Sequence, residues 1–430
     1  MSVDLAVMGL GHLGLSLARA ATAARIGTVG FDPDEHTIHT LRAGRPPAEA
    51  ALVAADVRRM LYRGFHATTD PAVLGRARTT VICTSVPLDE HHALDLTALT
   101  EAVRTLAARL RPRTTVILES PVYPGDTETV LRPLLEDGSG LRAGRDFHLA
   151  CAVGRPGPPG HDRAAAPRVL GGLTPACTEA AAAFYGRFTP RVVRARGIRE
   201  AETVRALEST MGHLHQALLN EMAMVCHDLE VDLWDVVRCA ETRAGAPQPL
   251  RPGGGLGGAP VAWERPTAPA DYPPRTPGGL DSECHDRGRP LRLVQLAQEI
   301  NDRMPGYVSR RAATLLNEYG KSVRGARVLL LGVTCLPDLP GQEGSPAREI
   351  AARLRALGAE LHYHDPFVGH WQVGGRQVPR TDFPCEAAAE ADLTLLLQHH
   401  RTYDLHGLTA KAQLVLDTCG VTPPGAAHRL

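Results

Sequence analysis

VDLAVMGLGHLG, residues 3–14, decides the fold of this chain. The apolar run at its start predicts a short buried strand, and three glycines follow that run directly. An alanine- and leucine-rich tract then predicts a helix to about Ala24, before a second apolar run that ends at Asp32. Strand, tight turn, helix and strand in this order are typical of the Rossmann dinucleotide-binding unit.

Gly9, Gly11 and Gly14 have the G-x-G-x-x-G spacing of loops that approach a pyrophosphate. Backbone amides at the start of the following helix would donate hydrogen bonds to the phosphates. Asp32 would accept a hydrogen bond from a ribose hydroxyl, and its charge would repel the 2′-phosphate of NADP. The pattern therefore predicts NAD as the cofactor, with a purely structural turn as the alternative.

The composition indicates a multidomain protein without a nucleic-acid partner. The chain has 430 residues, of which 47 are basic and 47 acidic, so two or three domains and no net electrostatic steering are expected. Nine cysteines are scattered without a C-x-x-C pair, which argues against disulfides and structural zinc and predicts a cytoplasmic protein. The N-terminus lacks a basic region and no run is apolar enough to span a bilayer, so neither secretion nor a membrane partner is expected.

The chain divides into three predicted domains. Strand and helix patterns alternate through 1–198, which predicts an NAD-binding Rossmann domain. Residues 199–319 are mainly helical, and over 320–430 the alternation resumes. The expected fold class is α/β, with two Rossmann-like doubly wound domains joined by a central layer of long helices. Residues 245–290 are rich in glycine and proline and predict a long loop, either functional or disordered.

Several segments occur in the order of a known family: GLGHLGLSLA, FDPDEHTIHTLRAGRPP, VPLDE, ESPVYPG, EDGSGLRAGRDF, VLGGLTP, LLNEMAMVC, GLGG, EINDRMPGYV and YHDP. The chain resembles the UDP-glucose/GDP-mannose dehydrogenase family, and most of all its branch acting on UDP-N-acetylhexosamines. The resemblance implies an NAD domain, with Val86 and Ser120 beside the cofactor, and a C-terminal domain that helps to bind a nucleotide sugar. It also implies a homodimer formed through the central helices, and a four-electron oxidation of a sugar C6 alcohol to a carboxylate.

That oxidation needs a cysteine thiolate to capture the aldehyde, a second hydride transfer, and an activated water to hydrolyse the thioester. Pro260 stands at the family's cysteine position and Gly154 at its catalytic glutamate position. Pro121 replaces a threonine, and the segment 336–345 lacks both basic residues of its counterpart. The aspartate four residues after the cysteine corresponds to Glu264, which keeps a carboxylate.

On the central helix, the family's lysine and asparagine correspond to Arg205 and Ser209. Arg205 could stabilise an oxyanion, but a guanidinium with a pKa above about 12 does not exchange protons as a lysine can. We therefore expect the four-electron reaction to be absent. His213 follows Ser209 by four residues and would accept the proton in a two-electron oxidation. The alternative is that His213 and His215 are interface or surface residues of a dimer helix.

The glycine-rich loop is expected to bind the nucleotide sugar. Arg251 would contact a phosphate, and the backbone would approach the ligand at Gly253, Gly255, Gly257 and Gly258. The alternative is a flexible hinge.

Some other polar residues are expected to have no catalytic or metal-binding role. Cys284 precedes a histidine, but adjacent side chains do not face each other, so an inert thiol is the alternative to a nucleophile. Two histidine pairs lack the carboxylate or cysteine neighbours of a zinc site, so no metal is expected at His91-His92 or at His362-x-His364.

Three functions follow from these residues. The first is an NAD-dependent oxidoreductase acting on a nucleotide sugar, limited to a two-electron alcohol–carbonyl step or to a redox-neutral reaction. The second is a pseudoenzyme, a dimer that binds NAD or a nucleotide sugar as a scaffold or regulator. The third is the full oxidation, with Cys284 as the nucleophile.

Overall fold

The structure, a computed structural model, describes residues 3–47, 50, 52–87, 94–154, 167–242, 253, 291–342 and 344–430. The described residues up to Ser209 belong to one compact unit and those from Thr210 onward to a second. Each unit contains its own parallel or mostly parallel sheet, which confirms the α/β fold class with two Rossmann-like sheets. The division into three domains stays a prediction. Of the predicted loop 245–290, only Gly253 lies among the described residues.

The first unit is built on an eight-stranded sheet with the strand order β3-β2-β1-β4-β5-β6-β7-β8. Its strands are β1 Val3–Met8, β2 Thr28–Phe31, β3 His66–Thr68, β4 Ala77–Ile82, β5 Thr115–Leu118, β6 His148–Gly154, β7 Arg168–Gly172 and β8 Val192–Arg194. Strands β1 to β6 are parallel, whereas β7 pairs antiparallel with β6 and carries β8 with it. The carboxyl ends of β5 and β6 therefore share one edge with the start of β7.

Helices cover both faces of this sheet because alternate strand residues point to opposite sides. Leu5 and Val7 belong to one apolar cluster, and Ala6 and Met8 belong to another. The helices are α1 His12–Ala23, α2 Glu35–Arg42, α3 Ala54–Tyr62, α4 Thr97–Ala107, α5 Arg132–Ser139 and α6 Pro175–Tyr185, with a 3₁₀ turn at Pro71–Arg76 and a π turn at Thr127–Leu131. The predicted first strand, turn and helix are therefore confirmed.

A long helix, α7 Ile198–Asp228, begins in the first unit and supplies part of the second. The second unit adds α8 Leu233–Glu241, α9 Arg292–Glu318, β9 Arg327–Leu331, α10 Ala347–Ala356, β10 Glu360–His364, the hairpin β11 Gln372–Val373 and β12 Arg376–Gln377, α11 Pro384–Glu390, β13 Leu393–Leu396, α12 Leu405–Lys411, β14 Val415–Asp417 and β15 His428–Arg429. Its parallel sheet has the order β10-β9-β13-β14-β15.

The central helices share the core of the second unit. Ala223 of α7 and Met304 of α9 belong to the same buried cluster as Val328 and Leu330 of β9. The other face of β9, with Leu329 and Leu331, packs in a separate cluster with α11 and α12. The long helices are therefore anchored by apolar burial against this sheet.

Candidate functional site

The glycine-rich loop joins β1 to α1 with no room for side chains at two of its glycines. Gly9 has a φ of +87°, and a Cβ atom on it would lie 2.8 Å from the backbone of Thr84. A Cβ atom on Gly14 would lie 1.8 Å from the carbonyl oxygen of Gly9. Because real Cβ atoms do not approach so closely, only glycine fits both positions. The N-terminal turn of α1 therefore packs closely against the backbone that follows β1.

Gly11 faces open space, unlike the other two glycines. A Cβ atom on Gly11 would meet no atom within 4 Å, and no side chain caps the first turn of α1. Backbone N–H groups at a helix N-terminus attract anions through their partial positive charge. The space at Gly11 and the uncapped helix therefore fit the pyrophosphate of a dinucleotide.

Asp32 lies at the end of β2, where a ribose of that dinucleotide would lie. Its Oδ2 atom accepts a hydrogen bond from the amide of Leu10 at 2.8 Å, and its Oδ1 atom accepts one from the amide of Asp34 at 3.0 Å. These bonds orient the carboxylate, and each oxygen keeps a second lone pair for a hydroxyl donor. The loop and Asp32 together fit NAD.

Ser120 links the loops that follow β4 and β5. It is 2% exposed, and its hydroxyl donates a hydrogen bond to the carbonyl oxygen of Thr84 at 2.8 Å. Val86 is partly buried two residues beyond Thr84. Both loops lie on the opposite side of β1 from Asp32, where the nicotinamide half of NAD would extend. Direct contact of Val86 and Ser120 with the cofactor stays a prediction.

A buried charge cluster lies at the same edge, beside the end of β5. Oε1 of Glu119 accepts hydrogen bonds from Nη1 of Arg168, at 2.7 Å, and from the hydroxyl of Tyr185. The guanidinium of Arg168 also lies 5.5 Å from the centre of the Tyr185 ring. Burial opposes the charge on Arg168, but Glu119 more than compensates, so the pKa of Arg168 is raised. Burial and Glu119 together raise the pKa of Tyr185 well above its usual range.

Two residues selected from the sequence meet this cluster. Nη2 of Arg205, on α7, donates a hydrogen bond to the carbonyl oxygen of Glu119 at 3.0 Å. Gly154 ends β6, and a Cβ atom on it would lie 2.5 Å from Nη1 of Arg168. The structure therefore brings Arg205 and Gly154 together around a pair that the sequence analysis missed. Glu119 and Arg168 are 49 residues apart, so no local pattern indicated their contact.

Glu202, also missed from the sequence, holds the loop after β5 from its place on α7. Its carboxylate accepts hydrogen bonds from the amide of Gly125 at 2.6 Å and from the amide of Thr127 at 3.1 Å. The hydroxyl of Thr127 is a third donor, at 2.5 Å. Burial raises the pKa of Glu202 to about 7, although these three donors act in the opposite direction.

The thiols nearest to this cluster are buried. Cys83 is 4% exposed, and burial followed by the charge of Glu119 raises its pKa well above the usual range. Cys151 is 3% exposed, and its pKa is raised by burial and by Glu202. A nucleophilic cysteine needs a lowered pKa and access to substrate, so neither thiol is poised to react. Cys284 lies outside the described residues.

A chain of buried amides in the second unit holds the described part of the glycine-rich loop. Oδ1 of Asn220 accepts a hydrogen bond from the amide of Gly253 at 3.1 Å. Nδ2 of Asn220 donates to Oδ1 of Asn301 at 3.0 Å, and Nδ2 of Asn301 donates to the carbonyl oxygen of His213 at 3.3 Å. Asn220 and Asn301 are therefore further residues that the sequence analysis missed. The other predicted residues of this segment lie outside the described residues: Arg251, Gly255, Gly257, Gly258, Pro260 and Glu264.

His213 and Arg205 have described contacts in different units. The carbonyl of His213 is bonded to α9 in the second unit, and its side chain is largely buried, with 9% of the residue exposed. Arg205 contacts the first unit, and Ser209, partly buried, lies between them on α7. The proposed arrangement of these three residues around one substrate stays a prediction.

The described part of the chain contains neither a metal-binding cluster nor a membrane-spanning helix. No group of three or more histidine, cysteine, aspartate or glutamate residues there is arranged to hold a metal ion. No described helix is both long enough and apolar enough to cross a membrane. His362 and His364 lie in β10, and His91-His92 lie outside the described residues.

Sequence models of one family match three consecutive parts of the chain. The NAD binding domain of the UDP-glucose/GDP-mannose dehydrogenase family matches residues 3–189, its central domain matches 199–265, and its UDP binding domain matches 329–424. The chain belongs to this family. The predicted family is therefore confirmed, and so is NAD as the cofactor, because the glycine-rich loop and Asp32 lie in the family's NAD binding domain.

Two dehydrogenases of the UDP-glucose/GDP-mannose dehydrogenase family are similar to this chain over most of its length. A UDP-N-acetyl-D-glucosamine 6-dehydrogenase of Pseudomonas aeruginosa is 29% identical over 369 residues, which cover 85% of this chain and 83% of that protein. A UDP-N-acetyl-D-mannosamine dehydrogenase of Escherichia coli strain K12 is 26% identical over 438 residues, 97% of this chain and 98% of that one.

Solved structures of the dehydrogenase family share the fold. The UDP-D-ManNAc dehydrogenase of Pyrococcus horikoshii superposes with a TM-score of 0.81 at 24% identity, covering 99% of this chain and 98% of the other. A UDP-glucose dehydrogenase of Pyrobaculum islandicum gives 0.82 at 21% identity, covering 100% and 97%. At this level of identity the likeness confirms the predicted fold.

Proposed function

We propose that this chain is an NAD-dependent oxidoreductase of a nucleotide sugar that performs at most a two-electron alcohol–carbonyl interconversion. A redox-neutral variant, in which one sugar carbon is oxidised and then reduced, uses the same groups. The observation that carries the proposal is the identity of Pro260 and Gly154. Proline has no nucleophilic side chain and glycine has no group to activate water, so capture of an aldehyde and hydrolysis of a thioester have no agent at these positions.

The raised pKa values of two described cysteines support the limit to a two-electron reaction. Cys83 and Cys151 are the cysteines whose pKa values respond to the charges of the cluster around Glu119, and burial raises both pKa values. Neither is a thiolate at neutral pH, so neither replaces the missing nucleophile. Full oxidation through Cys284 stays the third alternative, since that cysteine precedes a histidine but adjacent side chains do not face each other.

In a two-electron oxidation the carbinol C–H and O–H bonds break, a C=O bond forms, and a hydride and a proton leave. NAD, when bound, supplies the hydride acceptor. His213 takes the hydroxyl proton in this proposal, and Arg205 stabilises the developing oxyanion with its permanent charge. Ser209 donates a hydrogen bond to the same oxygen, and Glu264 supplies the remaining carboxylate. The bond from Arg205 to Glu119 supports its place beside the nicotinamide half of NAD.

The nucleotide sugar is held in part by the glycine-rich loop in this proposal. Arg251 contacts a phosphate, and the backbone at Gly255, Gly257 and Gly258 lies against the ligand. The hydrogen bond between Gly253 and Asn220 supports this role, because it fixes one point of the loop to a buried helix face.

The proposed assembly is a homodimer formed through the central helices. Met211, Leu218 and Val225 recur every seven residues on α7 and are 44%, 53% and 55% exposed. Apolar residues at this spacing form a seam suited to another helix. Leu293 and Leu296 of α9 are also exposed, by 68% and 53%.

The proposed location of the protein is the cytoplasm. The free thiols of the described cysteines support a reducing compartment.

The test is incubation of the purified protein with NAD and a panel of nucleotide sugars, followed at the absorbance band of reduced nicotinamide and by mass analysis of the sugar. We expect no more than one equivalent of reduced cofactor per sugar, or an altered sugar without net reduction. His213→Ala should abolish turnover, and His215→Ala on the same helix is the matched control. Two equivalents per sugar would contradict the argument from Pro260.

The pseudoenzyme is the alternative that this experiment separates. The residues at the family's reacting centre support it, since a scaffold needs no cysteine at 260, no glutamate at 154 and no lysine at 205. Tight binding of NAD or of a nucleotide sugar without turnover of any sugar would favour it over the oxidoreductase.

A further inference from the structure

A cavity of about 280 Å³ opens in the helical layer of the first unit, beside the C-terminal halves of α1 and α3. Its apolar lining includes Ala20 of α1, Met60 of α3 and Phe188, which follows α6. Met60 belongs to the buried apolar cluster of this face and Phe188 packs against that cluster, so this wall is held in place by the core. The lining residues of α1 begin at Arg19, about 12 Å along the helix axis from Gly11, so the cavity is separate from the NAD loop.

Three arginines and one carboxylate also line the cavity: Arg19, Arg59, Arg63 and Asp56. Arg59 and Arg63 are four residues apart on α3, so they lie on the same helical face. Nη1 of Arg59 lies 3.9 Å from Oδ1 of Asp56, and the Arg59 side chain is 63% exposed. The side chain of Arg63 has no hydrogen bond or ion pair among the described residues. Three positive charges and one negative charge leave a formal excess of two positive charges.

The ends of α1 and α3 reduce this excess without cancelling it. A helix C-terminus carries about −0.5 of an elementary charge, so the two ends together offset about one positive charge. The carbonyl groups near these ends are also bonded by amides that follow them, since Ala24 donates to Ala20 and Arg63 donates to Arg59. About one positive charge therefore remains beside an apolar wall.

We propose that this cavity binds a phosphate monoester that carries a small aromatic or aliphatic group. The exposed guanidinium groups pair with the phosphate dianion, and the apolar group lies against Met60 and Phe188. The cavity volume is close to the lower end of the range for small-molecule pockets, so the ligand is compact. The proposal goes beyond the proposed function, because no lining residue belongs to the glycine-rich NAD loop or to the cluster around Glu119.

Neither an inorganic anion nor a neutral apolar molecule matches both parts of the cavity. Inorganic phosphate pairs with the arginines but leaves the apolar wall at Met60 and Phe188 in contact with water. A neutral molecule covers that wall but leaves Arg63 without a charged partner. A phosphate offers three acceptor oxygens and up to two negative charges, which suits several guanidinium donors better than one carboxylate does.

The experiment is titration calorimetry of the full chain with phenyl phosphate as the probe, at saturating NAD so that the glycine-rich loop is occupied. We expect phenyl phosphate to bind roughly tenfold more tightly than inorganic phosphate or phenol, with an affinity that falls as salt is raised. The double variant Arg59→Gln/Arg63→Gln should lower this affinity roughly tenfold, because each partly exposed ion pair contributes a factor of roughly two to five.

Two further variants separate a cavity from a merely basic surface. Arg58 is exposed on the same helix and lies outside the cavity, where a Cβ atom on Gly44 would be 2.9 Å from its Cγ. Arg58→Gln removes the same charge and should leave the affinity for phenyl phosphate unchanged. Ala20→Leu narrows the cavity with its charges intact, and it should lower the affinity for phenyl phosphate and leave that for inorganic phosphate unchanged.

The affinity for NAD reports whether each variant keeps the fold of the first unit. If the double variant loses NAD binding, Ala20→Leu decides, and an unchanged affinity for phenyl phosphate in that variant would overturn the site. No binding of phenyl phosphate by the unaltered protein would overturn it as well. An equal loss of affinity in the Arg58→Gln variant would replace the site by general attraction to basic surface. None of these results bears on the proposed function, which the nucleotide-sugar assay tests separately.

Discussion

The Glu202→Gln substitution should leave a backbone N–H group of the loop after β5 without a hydrogen-bond acceptor. It should also flatten the pH dependence of the free energy of unfolding. Both carboxylate oxygens of Glu202 accept hydrogen bonds, one from Gly125 and the other from Thr127. A glutamine side chain has one oxygen and one NH₂ group, so in either orientation a backbone N–H group faces another donor. Leaving a buried donor unpaired costs about 1–3 kcal/mol. The loop after β5 should also hold NAD less well.

The raised pKa of Glu202 gives its effect on stability a definite sign. Burial raises the pKa from 4.5 to about 7 in the folded chain. Between these values the folded state keeps a proton that the unfolded state has released, so stability is highest at low pH and falls as pH rises. The full loss is roughly 3 kcal/mol, since about 2.5 pH units separate the two pKa values and each is equivalent to 1.36 kcal/mol. Glutamine does not titrate and removes this contribution.

Urea unfolding followed by circular dichroism, at about pH 5.5 and about pH 8, tests both effects. At the lower pH the Glu202→Gln variant should be less stable than the unaltered protein, and at the higher pH the difference should shrink or reverse. Glu208→Gln, an exposed glutamate on the same helix, should leave the pH dependence unchanged. Parallel pH profiles for the unaltered protein and the Glu202 variant would refute the reasoning.

Three other substitutions probe the remaining parts of the structure. Gly14→Ala should destabilise the chain and weaken NAD binding at least tenfold, because its Cβ atom would lie 1.8 Å from the carbonyl oxygen of Gly9; unchanged NAD affinity in a calorimetric titration would contradict this. Asn220→Leu should lower nucleotide-sugar affinity roughly tenfold with NAD affinity unchanged, since the amide of Gly253 loses its acceptor; equal losses for both ligands would indicate general unfolding. Leu218→Glu should convert a dimer into monomers in analytical ultracentrifugation, because it places a charge within the exposed apolar face of α7; a monomeric unaltered protein would exclude the seam.

The dinucleotide loop could be predicted because its constraints are local. Gly9 and Gly14 are required by a positive φ and by a close backbone approach, both within a few residues of the turn. The region 199–319, predicted to be mainly helical, contains α7 and α9, because hydrophobic periodicity is clearest in long helices; α9 continues through Pro305. The direction of β7 was not predicted, since apolar alternation indicates a strand but carries no information on whether its neighbour is parallel.

The sequence by itself determined which residue types stand at the positions that the proposed function uses: proline at 260, glycine at 154 and arginine at 205. Only the tertiary structure brought Glu119, Arg168 and Arg205 together, because they come from the loop after β5, from β7 and from α7 and meet through the order of the strands. Backbone sterics and hydrophobic periodicity act over a few residues and are readable along the chain. The meeting of distant charges depends on the packing of the whole sheet, which no short segment encodes.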